Sequence, residues 1–283
     1  LSDETSRATV NVGVESRVAE SCSPITVAHG HVADLIAKKI DYIFIPNVID
    51  AESNDSQTNS FLCPWGQTLC FVIRATPSFA AYNEKILSPN VRFRLGANKV
   101  KDQFFEMARK LGVSRRENDR AIERAYDSWY EFNSRLKVTG NEAVQSVLDA
   151  GTKAIILLGR PYNLYDEIVN LNIPNKLRQH YGINIIPLDF LSNDDIDIRD
   201  LNENMYWNYG QKIIKTARWV SRFKNFDLIY ITNFKCGPDS YIKHYIQDAA
   251  QKPFLTIQFD EHSNDAGIVT RCEAYLDSKG FFK

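Results

Sequence analysis

The chain has 283 residues, 44% of them hydrophobic, with 34 Lys and Arg set against 35 Asp and Glu. That length suffices for one large domain or two modest ones, and the balanced charge lacks the basic excess expected of a nucleic-acid binder. No run approaches the roughly 18 apolar residues of a membrane span, and no signal peptide is visible, so the expectation is a cytoplasmic protein with neither nucleic acid nor membrane as a partner. The polar start LSDETSRATVNVG begins at Leu1 rather than Met and reads as a cut from a longer polypeptide.

In chain order, a helix is expected over 24–39, followed by the strand DYIFIP (41–46). The polar stretch DAESNDSQTNS (50–60) reads as a loop, and a further helix follows Cys63. VRFRL (91–95) is strand-like. Helical stretches follow near 98–111, 115–137 and 140–150, the middle one charged and amphipathic, as a solvated face or docking surface would be. The domain boundary is placed near Gly151. It divides an N-terminal α/β lobe with a helical insertion (1–150) from a C-terminal lobe (151–283).

The second half alternates cleanly. KAIILLG (153–159) is a short apolar run of the kind that forms a buried parallel strand. A short helix near 173–180, the strand INIIPLD (183–189) and a helix over 204–223 come next. The strand DLIYITNF (227–234), a helix over 238–250, the strand PFLTIQF (253–259) and a last helix near 266–278 complete it. The alternation predicts an α/β class with a mostly parallel sheet flanked by helices.

The cysteine count of five is odd and widely spread, which suits a reducing compartment better than a disulfide framework. Three of them share a setting. Cys22 precedes Ser23-Pro24, Cys63 precedes Pro64, and Cys236 precedes Gly237-Pro238. Each stands just ahead of an expected helix with proline in its first turn. Unpaired N–H groups and the positive end of the dipole gather there, so a thiolate is favoured, and thiolates bind iron clusters. Two other readings stand beside this one: inert core cysteines, and a zinc site completed by His29 or His31. Cys70 and Cys272 lie in apolar surroundings and read as core.

Other groups follow expected strands. Arg160, Tyr162 and Asn163 in GRPYN form either a substrate-facing loop, with Arg160 pairing an anion, or a plain turn. Asp260, Glu261 and His262 suit a metal or proton site or a solvated helix-start loop. Tyr206, Trp207 and Tyr209 read as core.

The blocks ESCSPITVAHGHVADLI, FLCPWGQ, LLGRPYNLYDEIVNLNIPNKL, NMYWNYGQKI, TNFKCGPDSYI and FDEHSNDAGIVTRCEAYLD together resemble a domain of CoA-substrate-specific enzyme activases, the 2-hydroxyacyl-CoA dehydratase activator family of ATPases. They are also similar to the cluster-bearing subunits of 2-hydroxyacyl-CoA dehydratases and benzoyl-CoA reductases. The resemblance spans roughly residues 18–278. It implies two Rossmann-like lobes with an iron–sulfur cluster, of the 4Fe–4S type, held between them by Cys22, Cys63 and Cys236. It further implies activase ATPase domains as partners, in the same polypeptide or another chain, and an acyl-CoA-type substrate. No GxxxxGK[ST] loop is present, so ATP hydrolysis is not expected of this chain itself.

Overall fold

A computed structural model describes residues 1–53 and 58–282. Positions 54–57, within the expected 50–60 loop, lie outside the described residues. The chain forms two compact units. One comprises Leu1–Ser21, Ile25–Asn133 and Asn204–Asn208; the other comprises Cys22–Pro24, Ser134–Glu203 and Tyr209–Lys283.

The first unit opens with α1 (Arg7–Ser16), which the polar start did not suggest. Ser6 and Thr9 begin it with a reciprocal capping box, satisfying end groups that would otherwise lack partners. Helix α2 (Ser23–Ala37) lies against α1 so closely that a Cβ on Gly13 would meet the Thr26 carbonyl oxygen at 2.1 Å. Strands β1 (Ile43–Phe44) and β2 (Asn47–Asp50) lead into α3 (Pro64–Arg74), which crosses to β3 (Ile86–Leu87) and β4 (Asn90–Arg92). Strand β1 pairs in parallel with β3, and β2 with β4. The register sets Pro46 opposite Pro89, so neither position has an N–H to donate. One ribbon is thereby split into short pieces, where the sequence suggested a single strand over 41–46 that ended before β2. Val32, Ile43, Ile45, Cys70, Ile73, Phe79 and Ile86 form the core of this unit, and Cys70 is a fully buried part of it, as expected.

Helix α4 (Ala97–Ala108) is followed by α5 (Arg115–Asp149), a continuous helix of 35 residues in place of the two expected stretches. Gly140 does not interrupt it. A Cβ there would lie 1.9 Å from the backbone oxygen of Phe190, so this glycine exists for close approach rather than for a break. The helix stops where Gly151 takes a left-handed φ of 60° and donates to the Leu148 carbonyl.

The second unit contains the strands expected of the C-terminal half. Strand β5 (Ala154–Leu158) is followed by α6 (Pro161–Tyr165), α7 (Ile173–Tyr181), β6 (Asn184–Pro187), α8 (Asn208–Ser221), β7 (Phe226–Asn233), α9 (Gly237–Ala250), β8 (Leu255–Phe259) and α10 (Ala266–Ser278). The sheet order is β6-β5-β7-β8 and every pairing is parallel. Every residue of β5 and β7 is buried, as befits central strands covered on both faces. The fold is α/β, with parallel sheets flanked by helices.

Helix α8 starts later than position 204. Phe61 donates its N–H to the Tyr206 carbonyl and accepts from the Asn208 N–H, which holds 206–207 in an extended bridge. Tyr206 and Trp207 stack on each other at 4.6 Å within the first unit. Tyr209 belongs to the second unit.

Candidate functional site

The order β6-β5-β7-β8 changes direction between β5 and β7. The chain leaves β5 for one neighbour and later returns to its other side. In an open parallel sheet this places a crevice beyond the carboxyl ends of those two strands, where ligands bind. Gly159 and Arg160 continue from β5, while Asn233 closes β7 and Cys236 stands at the start of α9.

These residues are joined by a buried ion pair. Arg160 Nε donates to Asp239 Oδ1 at 2.9 Å, and Nη2 lies 2.9 Å from the same oxygen. Thr232 Oγ1 donates to the other carboxylate oxygen at 2.6 Å. Arg160 and Asp239 are only 4% and 2% exposed. The guanidinium proposed from the sequence to pair an anion is thus engaged by a carboxylate of this chain. Asn163, in the first turn after Arg160, donates Nδ2 to the Ile231 carbonyl. Its Oδ1 and the Nδ2 of Asn233 are buried without hydrogen-bond partners among the described residues. Tyr162 beside it is half-buried. Further along the same edge, Asp189 accepts from Tyr165 at 3.2 Å and from Tyr209 at 3.5 Å. Sequence reasoning passed over Asp189 and Asp239. Only the position of Asp189 directly after a strand could have marked it, and α9 brings Asp239 back under Arg160.

The three singled-out cysteines all stand at helix starts: Cys22 before α2, Cys63 before α3 and Cys236 before α9. Cys22 and Cys236 both belong to the second unit and are both buried, and a Cys22 thiolate adds to the rise of the Cys236 pKa. Cys63 belongs to the first unit and is half-buried. Among the described residues, no group of three or more His, Cys, Asp or Glu side chains converges as metal ligands would.

The expected lowering of the thiol pKa fails for Cys236. Burial, reinforced by the Asp239 carboxylate, pushes this thiol up to about 12. Arg160 and the hydrogen bond from the Asp239 N–H act in the opposite direction but are outweighed. In the metal-free protein Cys236 is therefore a neutral thiol at pH 7. Its alkylation rate should keep climbing past about 8.5, where an ordinary cysteine levels off; peptide mass spectrometry after timed alkylation reads this directly. A plateau near that ordinary value would contradict the assignment. Cys272, fully buried on α10, is likewise pushed up to about 12 by burial, consistent with its core reading.

The remaining candidates are accounted for locally. His29 is buried, its Nδ1 donates to the Ile25 carbonyl at 2.7 Å, and burial lowers its pKa. His31 meets Thr5 at 3.1 Å. Asp260 accepts from the His262 N–H and the Ser263 hydroxyl, closing a turn ahead of α10.

Comparison with known families finds that the one described as CoA enzyme activase uncharacterised domain (DUF2229) matches residues 1–191. The chain belongs to this activase family. The matched part of the activase domain contains Cys22, Cys63, Arg160 and Asn163, while Cys236 and Asp239 lie beyond it. Searches of curated proteins and of solved structures found no match. Among the described residues, no helix of the activase domain is long and apolar enough to cross a membrane.

Proposed function

We propose that this activase domain binds an iron–sulfur cluster of the 4Fe–4S type through Cys22, Cys63 and Cys236. The observation that supports the reading is that Cys236 stands at the carboxyl edge of the β5–β7 pair, close enough to Cys22 for its thiolate charge to act on Cys236. When bound, such a cluster accepts and passes on single electrons at low potential. The chain's own residues supply the rest. The Asp239 N–H points at the Cys236 sulfur, and the Arg160 guanidinium offsets negative charge beside it. The orphaned amides of Asn163 and Asn233 offer further polar groups at the same strand ends. Because Cys236 starts as a neutral thiol, metal binding must release its proton.

In this reading the domain receives low-potential electrons from an ATPase domain of the same or a partner chain and relays them for reduction or dehydration. It does so in a cytoplasmic system that acts on acyl-CoA-type substrates. The sequence likeness to 2-hydroxyacyl-CoA dehydratase and benzoyl-CoA reductase subunits supports that direction.

Anaerobic reconstitution with iron and sulfide tests it. The expected result is bound iron with labile sulfide and a broad visible absorption band. Cys22→Ser and Cys236→Ser should each lose both, and Cys63→Ser tests the third ligand in the same way. Unchanged iron and sulfide in the Cys22→Ser/Cys236→Ser double variant would end the proposal. Zinc without sulfide would replace the cluster with a structural metal.

A further inference from the structure

The first unit carries a groove of about 470 Å³ between the end of α3, the β3–β4 connection and the C-terminal turn of α4. It continues into a second hollow of about 440 Å³, with Arg74, Ile86, Leu87 and Lys110 lining both. Volumes in this range suit small-molecule ligands. Arg74, Arg109 and Lys110 bring cationic heads to it. Arg74 is anchored by an Nη2 bond of 2.8 Å to the Ile86 carbonyl, and its Nε is buried without a hydrogen-bond partner. Among the described residues, no carboxylate forms an ion pair with any of the three.

Cations near helix C-termini ordinarily serve the last carbonyls and the negative end of the dipole. Arg74 does not. It reaches across to β3, while the Ala75 N–H serves the Phe71 carbonyl. The walls are mixed. Ile86, Leu87 and Met107 are apolar, and Glu84 and Glu106 add acceptors that suit hydroxyl groups. A bare inorganic anion would use the cations alone. A ligand with a diphosphate, sugar hydroxyls and an apolar plate would use all three kinds of surface.

We propose that this groove binds the diphosphate of a nucleotide. The site is independent of the cysteines, so it stands or falls apart from the cluster reading. Calorimetric titration of the 283-residue chain with pyrophosphate, ADP and coenzyme A, which share the diphosphate, provides the test. Saturable binding is expected, weaker at higher salt. Removing one charged hydrogen-bond donor should cost about tenfold in affinity, and Arg109→Ala/Lys110→Ala should cost more. Both residues are exposed, so folding is not at risk. Arg116→Ala, at an exposed cation that does not line the groove, should bind as the parent does. The ranking of the three probes identifies which parts of the ligand are held. No saturable binding of any probe at millimolar concentration, or unchanged binding by the double variant, would overturn the proposal.

Discussion

Asp239→Ala should destabilise the second unit by about 3–5 kcal/mol, the range for removing one partner of a buried ion pair. The cost comes less from the lost attraction than from what stays behind. Arg160 is 4% exposed, and its Nε and Nη2 both address Asp239 Oδ1. Without the carboxylate, a buried guanidinium charge loses the counter-charge of Asp239, and the Thr232 hydroxyl loses its acceptor. Replacing both partners, as in Arg160→Met/Asp239→Leu, should restore much of the loss, because the pair's Coulomb gain is largely cancelled by its desolvation. Urea denaturation of the parent and the two variants is the measurement. If the single and double variants lose equal stability, the buried charge is not the cause and this account of the pair is wrong.

Gly140→Ala should lower stability by about 1–3 kcal/mol through overpacking. The sign is informative, because alanine in place of glycine inside a helix ordinarily gains about 1 kcal/mol. Here the added methyl would lie 1.9 Å from the Phe190 carbonyl oxygen and 2.8 Å from its Cβ. Backbone atoms cannot rotate aside as a flexible side chain would. Either α5 or the turn at Leu188–Phe190 must shift. A fall in the thermal midpoint is expected, and a rise would show that the contact relaxes cheaply.

The two variants mark where local reading stops. In β5 the apolar run AIILL, and in β7 the shorter run LIYI, read as strands buried on both faces, and the alternation of such runs with amphipathic segments favours a parallel sheet. The helix starts at Cys63 and Cys236 were legible for a similar reason. Proline tolerates the first turn and little else in a helix. At Gly140 the same logic misleads, because helix propensity says nothing about what approaches from outside. Helix α1 was missed because its valines alternate with polar residues in a short segment; its capping box and its close contact through Gly13 fix it as a helix.

The cysteines in this α/β chain show the same division. The sequence by itself determined that Cys22, Cys63 and Cys236 stand at helix starts while Cys70 and Cys272 fill core positions, because those are local properties of proline, turn and apolar residues. Tertiary structure alone decided that Cys22 lies within electrostatic reach of Cys236, that Asp239 pairs with Arg160, and that burial raises the Cys236 pKa instead of lowering it. Each depends on which segments of the β6-β5-β7-β8 sheet end side by side and on how much water they exclude, neither of which residue spacing encodes.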